Sequence, residues 1–350
     1  MADALLSPAV SAVMTAASIG SIAYSVAKLK KEDESGLSLA GHGESKIPVM
    51  GVMGAFVFAA QMINFTIPAT GSSGHIGGGI LLAAMLGPYA ALLTISAVLI
   101  IQCLFFADGG LMALGCNIFN MGVYACFVAY PFIFKPMVKR CLSAGRITAA
   151  SIVSVVVGLQ IGALSVVLET MLSGVTELPF STFVLLMQPI HLAIGVGEGI
   201  ITAAVLCFVL QMRPDLLDFA DHSGTAQRER RGALSFGRTL LVLLALAALI
   251  GGGLSLYASA YPDGLEWSME KTAGTTELER TGSAYETAAM IQERTAFMPD
   301  YDFKSAGEDG STFGTTTAGI VGGAMTLLLA CAAGAIVAVF KRHGGKNVSA

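Results

Sequence analysis

Apolar residues run in long blocks along this chain, and polar residues gather in the short intervals between them. A membrane helix needs about 20 mostly apolar residues. The blocks near 9–28, 47–66, 76–87, 89–107, 112–134, 147–172, 182–211, 238–260 and 317–340 meet or approach that length. The third is short and is interrupted at Gly87-Pro88. The pattern predicts an all-α polytopic membrane protein with about nine spans. The first block lacks a basic stretch ahead of it, and its basic cluster follows it, so it reads as a retained helix rather than a secretory signal.

Charge supports this reading and gives it a direction. The chain of 350 residues is 54% hydrophobic and only 13% charged, against about 25% charged in soluble domains. With the N-terminus outside, the inner segments hold all but four of the 20 basic residues. Those four, Lys271, Arg280, Arg294 and Lys304, share one long outer loop, the kind of segment that crosses regardless of charge. Nine spans with the N-terminus outside and the C-terminus inside satisfy the positive-inside rule, and an even number breaks it. The net charge of −4 speaks against a nucleic-acid partner.

Organisation follows from the same pattern. Residues 1–212 form a seven-span unit, 213–237 a charged inner linker, and 238–350 a two-span unit with an outer loop over 261–316. That loop carries 11 acidic and 4 basic residues and few large apolar ones, so it reads as solvated. The cysteines Cys103, Cys116, Cys126, Cys141, Cys207 and Cys331 lie in or beside apolar blocks without metal-knuckle spacing and read as small packing residues.

Candidate chemistry centres on His75, in Gly71-Ser-Ser-Gly-His75-Ile-Gly-Gly-Gly79. A histidine on glycine-dense, irregular backbone at membrane depth points to an ion or substrate site, and imidazole suits nickel, cobalt, copper and zinc. A histidine that caps a helix or satisfies a carbonyl is the equal alternative. His42, His222 and His343 fall in inner segments. His191 and Glu198 stand seven residues apart, on one helix face; the pair reads either as a relay or as a buried network holding helices together. Asn117 and Asn120 are polar groups in an apolar helix and need partners. No HExxH, GxSxG or phosphate-binding Gly-x4-Gly-Lys pattern occurs, so the chain reads as a non-enzyme, and any ATP hydrolysis belongs to another protein. A stand-alone secondary transporter or channel, and an intramembrane metalloenzyme, are the rival classes.

Several segments are familiar in combination: Ala2-Asp-Ala-Leu-Leu-Ser-Pro8, Gln61-Met-Ile-Asn-Phe65, the His75 loop, Asp108-Gly-Gly-Leu-Met-Ala-Leu-Gly-Cys-Asn117 and His191-Leu-Ala-Ile-Gly-Val-Gly-Glu-Gly199. Together they resemble the CbiM/NikM family, the membrane-embedded metal-binding subunits of energy-coupling factor transporters for nickel and cobalt. Pro262-Asp-Gly-Leu-Glu266 resembles the signature of the small two-span CbiN/NikN-type companion, fused here to the main unit. The resemblance implies capture of Ni2+ or Co2+ without a cofactor, a coupling membrane (T) component and ATPase subunits as partners, and a place in the inner membrane. It also implies a square-planar nitrogen site built from the N-terminal amine, the second residue's amide and imidazole, and a loop histidine that matches His75. Asn64, Asn117 and Ser73 are then the residues that orient the ligand histidine.

Here the chain departs from the family pattern. Ala2 directly follows Met1, so the second-position histidine is missing, and Met1 offers only an amine. Either the start is misassigned and Met-His lies just upstream, or the usual ligand set has been reduced. Placing Met-His ahead of Met1 is expected to restore uptake of labelled nickel; equal uptake by the two versions excludes a misassigned start.

Overall fold

A computed structural model describes residues 1–31, 37, 45–139, 142–176, 178–220, 234–276, 278, 280–304 and 311–346, with side chains to residue 340. His42, His222 and most of the charged linker lie outside the described residues, as does the side chain of His343.

The helices are α1 (Pro8–Lys31), α2 (Ile47–Gln61), α3 (Gly79–Leu86), α4 (Pro88–Phe106), α5 (Leu114–Val138), α6 (Ala144–Ser173), α7 (Phe180–Met212), α8 (Phe236–Gly252), α9 (Gly264–Ala273), α10 (Ser283–Thr295) and α11 (Thr312–Lys346). Each apolar block of the sequence contains a helix. Among the described residues, seven helices are long and apolar enough to cross a membrane. The other two blocks are shorter: α2 has 15 residues and α3 has 8, or roughly 22 and 12 Å at 1.5 Å per residue.

The short helices bracket a two-stranded hairpin, β1 (Phe65–Ile67) and β2 (Ser72–Gly74). It is antiparallel, pairing Phe65 with Gly74, Thr66 with Ser73 and Ile67 with Ser72. α3 carries the chain on from the hairpin to Gly87, where it turns at Pro88 into α4. The hairpin and α3 together thus replace one full helix, which places the His75 loop inside the bundle.

Packing uses small residues where helices come close, as expected where lipid gives no hydrophobic drive between helices. Along α1 the buried positions are Ser11, Ser18, Ser25 and Leu29, while Val13 and Ile19 face outward. Ser11 and Ser18 donate from Oγ to the carbonyls of Met112 and Gly115, each at 2.6 Å. α2 is buried on nearly all sides. The reason is the C-terminal pair: α8 and α11 both pack along it. A Cβ on Gly51 would lie 2.4 Å from Cys331 Sγ, and one on Gly251 would lie 3.1 Å from Ala59 Cβ. Residues Ile118–Phe134 of α5 wind as a π-helix that contains Pro131, a residue without a backbone donor. Cys103, Cys116, Cys126, Cys207 and Cys331 are free thiols.

Loop 261–316 is largely exposed or half-buried among its described residues, as expected of a solvated segment, but it is not without structure. It contains α9 and α10, and both are anchored. A capping box starts α9: Asp263 accepts from the Leu265 and Glu266 amides at 2.8 and 2.9 Å, and the Glu266 carboxylate accepts from the Asp263 amide at 3.1 Å. From α10, Gln292 Nε2 donates to the carbonyls of Cys103 and Gly109 at 3.0 and 2.7 Å. Apolar contacts add to these bonds: Met298 and Met269 are buried in the core, and Phe297 and Tyr301 pack on Phe105 and Phe106.

Away from the His75 loop, Asp218 ties three helices together. Its amide donates to Ala84 O of α3 at 2.9 Å. Its carboxylate accepts from Tyr130 Oη and Lys135 Nζ of α5 at 2.6 and 3.1 Å and lies 3.9 Å from Lys46 Nζ at the start of α2. Asp218→Ala is expected to lower stability by about 2 kcal/mol, between the values of exposed and buried ion pairs, read as a fall in the thermal unfolding temperature of the detergent-solubilised protein.

Candidate metal site

Backbone amides and carbonyls at membrane depth need partners from the protein, because the bilayer core has no water to offer. Around His75 those partners are specific. The Glu198 carboxylate of α7 accepts from the Gly77 amide at 2.9 Å and the Gly78 amide at 2.8 Å. Gln61, at the end of α2, donates from Nε2 to Gly77 O at 2.9 Å. Gly78 has φ +75°, and a Cβ there would lie 2.5 Å from Val57, so both conformation and space demand glycine. Gly74 allows close contact with α7: its Cβ would fall 2.5 Å from Ile194. His75 itself donates from Nδ1 to Ile76 O at 3.1 Å.

The N-terminal segment enters the same region. Leu5 and Leu6 are fully buried. Met1 O accepts from the Gly110 amide at 3.0 Å, and Asp3 Oδ1 accepts from the Ala113 amide at 2.9 Å. Asp108-Gly109-Gly110 is therefore the cradle for the amino terminus. Burial pushes the Asp3 carboxyl above its usual range, against the opposing pull of the Ala113 and Met112 amides.

The C-terminal unit closes the other side. The Ser73 amide donates to Pro262 O at 2.8 Å, and the Ser73 hydroxyl donates to Tyr261 O at 2.7 Å. Trp267 Nε1 donates to Thr70 O at 3.0 Å, and the Ser259 amide to Asn64 O at 2.7 Å. Gly264 lies against α7, where a Cβ would sit 3.1 Å from His191 Cε1.

Between these three segments lies a cavity of about 130 Å3, lined among others by Met1, His75, Asn117, Asn120, His191 and Asp263. His75, Met1, Asn117 and His191, all singled out from sequence, thus meet in one space. Ser73 instead holds the C-terminal unit, and Asn64 serves it through its carbonyl. His191 and Glu198 are used separately: His191 donates from Nδ1 to Met187 O at 2.8 Å, while Glu198 holds the loop. Asn120 donates from Nδ2 to Glu169 at 3.0 Å. Among the described residues no three His, Cys, Asp or Glu side chains form a metal-holding group. Sequence reasoning missed Asp263 and Gln61 as parts of the site, although both sit in the segments Pro262–Glu266 and Gln61–Phe65.

A family described as the cobalt uptake substrate-specific transmembrane region, CbiM, matches residues 1–216. The chain belongs to the CbiM family. A PDGLE domain matches residues 237–339, so this CbiM chain carries a fused CbiN-like part. It is 30% identical to a putative fused nickel transport protein NikMN of Archaeoglobus fulgidus, over 93% of this chain and 95% of that one. It is 32% identical to the fused nickel transport protein NikMN of Rhodobacter capsulatus, over 72% of each. A crystal structure of a truncated transition metal transporter superposes with a TM-score of 0.50 at 30% identity, covering 60% of this chain and 98% of that one. This CbiM-family chain is accordingly a multi-pass membrane transport protein rather than an enzyme.

Its loop clamp has a measurable weight. Glu198→Ala leaves two buried amides without their acceptor, at about 1–3 kcal/mol each. A loss of about 3 kcal/mol is expected, with a smaller loss for Glu198→Gln, which keeps one acceptor; thermal unfolding in detergent reads both.

Proposed function

We propose that this chain is the substrate-capturing subunit of a transporter that imports divalent nickel or cobalt. Its N-terminus lies outside and its C-terminus inside the cell membrane, and it is driven by ATP hydrolysis in a separate subunit. The observation that carries the reading is the cavity that brings the Met1 end of the chain and His75 together beneath the C-terminal unit. The family match and the names of the fused relatives support the metal and the direction of transport.

The chemistry follows from the donors. A hydrated divalent ion loses water in a small, partly apolar cavity and binds nitrogen: the His75 imidazole and the Met1 amine. Amine and imidazole nitrogens accept nickel and cobalt alike. With Nδ1 donating to Ile76 O, His75 offers Nε2 to the metal, in the tautomer that a ligating histidine needs. Asn117, at the cavity wall, is placed to orient bound water or the ligand. The seven-span unit 1–212 captures, and the two-span unit 238–350 holds the His75 loop in its binding form. A coupling membrane component and an ATPase would then change the bundle's conformation and release the ion inside.

His75→Ala is expected to reduce nickel affinity about 100-fold or more, measured by calorimetry, and to abolish uptake of labelled nickel in cells that contain the ATPase and coupling subunits. Uptake that persists in cells without the ATPase would refute the ATP-driven mechanism and favour a secondary transporter.

A further inference from the structure

A ligating histidine is usually recognised by what its other nitrogen does: one ring nitrogen donates to a carbonyl or carboxylate, and the remaining lone pair faces the metal. His75 has this arrangement through Ile76 O at 3.1 Å. So does a second histidine on the same cavity. His191 Nδ1 lies 2.8 Å from Met187 O, and a carbonyl oxygen only accepts, so Nδ1 carries the proton and Nε2 is left as a lone pair. The bond follows the helix register, four residues back along α7, so the tautomer is set by secondary structure.

His191 belongs to the wall that the C-terminal unit covers. Asp263 and Gly264 line the same cavity, and Gly264 approaches so closely that a Cβ would lie 3.1 Å from His191 Cε1. The PDGLE segment therefore lies close to the His191 ring while its own hydrogen bonds hold the hairpin that precedes His75.

We infer that His191 is a second imidazole ligand for the transported metal, sharing it with His75. Met1, which lines the same cavity, or water completes the coordination. The inference rests on the cavity being the capture site. It also gives the fused unit a direct role in binding. By seating Gly264 on His191 and Pro262 on Ser73, that unit sets the separation of the two nitrogen donors.

The test uses the full chain in lipid nanodiscs with Ni(II) alone, read by calorimetry and by the visible ligand-field absorption of the bound ion. His191→Ala is expected to weaken binding about 100-fold or more, beyond what loss of a residue that merely orients a ligand costs, and to move the absorption to longer wavelength, as water replaces a stronger nitrogen donor. His191→Gln, which keeps an amide donor toward Met187 O, is expected to give the same spectral shift while the metal-free protein unfolds at the wild-type temperature. Unchanged affinity and spectrum in both variants, or weaker binding with an unshifted spectrum, overturns His191 as a ligand and leaves His75 capture intact. Wild-type nickel binding by His75→Ala overturns the capture reading itself, and His191 falls with it.

Discussion

The Glu198 carboxylate, accepting the amides of Gly77 and Gly78, is the interaction on which the rest of this structure depends. An unpaired backbone amide in the bilayer core is costly, so irregular chain survives there only when protein supplies every partner. One buried carboxylate supplies two. It allows the chain to stop being helical after α2, run out and back through a hairpin, and resume as an eight-residue helix.

The same constraint explains the fused C-terminal unit. A hairpin at this depth has edges, and the outer edge of β2 is satisfied by Tyr261 and Pro262 carbonyls through the Ser73 amide and hydroxyl. The shortness of α2 is the companion problem, and α8 and α11 answer it by burying that helix within the protein. The unit is thus joined to the site twice: once through apolar helix packing and once through backbone hydrogen bonds at the cavity mouth. A contact built from backbone groups and small residues positions a loop without adding bulk beside it.

Parts of this were legible in the residue order. The apolar blocks located every long helix, and the Gly87-Pro88 interruption marked the end of α3, because lipid solvent and proline each impose their rule locally. Glycine density around His75 flagged irregular backbone correctly, with Gly78 at positive φ as its clearest case. The asparagines of α5 were visible as polar residues in an apolar helix, but their partners were not. Loop 261–316 is largely exposed or half-buried, as read, but its helical order was not legible, because it comes from residues such as Gln292, Trp267 and Met298 whose partners lie far away in sequence.

By itself, then, the sequence determined the helical membrane class, the irregular backbone around His75 and the family, all of which rest on local composition, periodicity and motifs. Only the tertiary structure decided that Glu198 serves the loop rather than His191, that Ser73 faces the fused unit rather than the histidine, and that Met1, His75 and His191 share one cavity. The physical reason is that hydrogen-bond partners at membrane depth are chosen by whichever unsatisfied group folding brings within about 3 Å, and residue spacing along one helix carries no information about the groups on another.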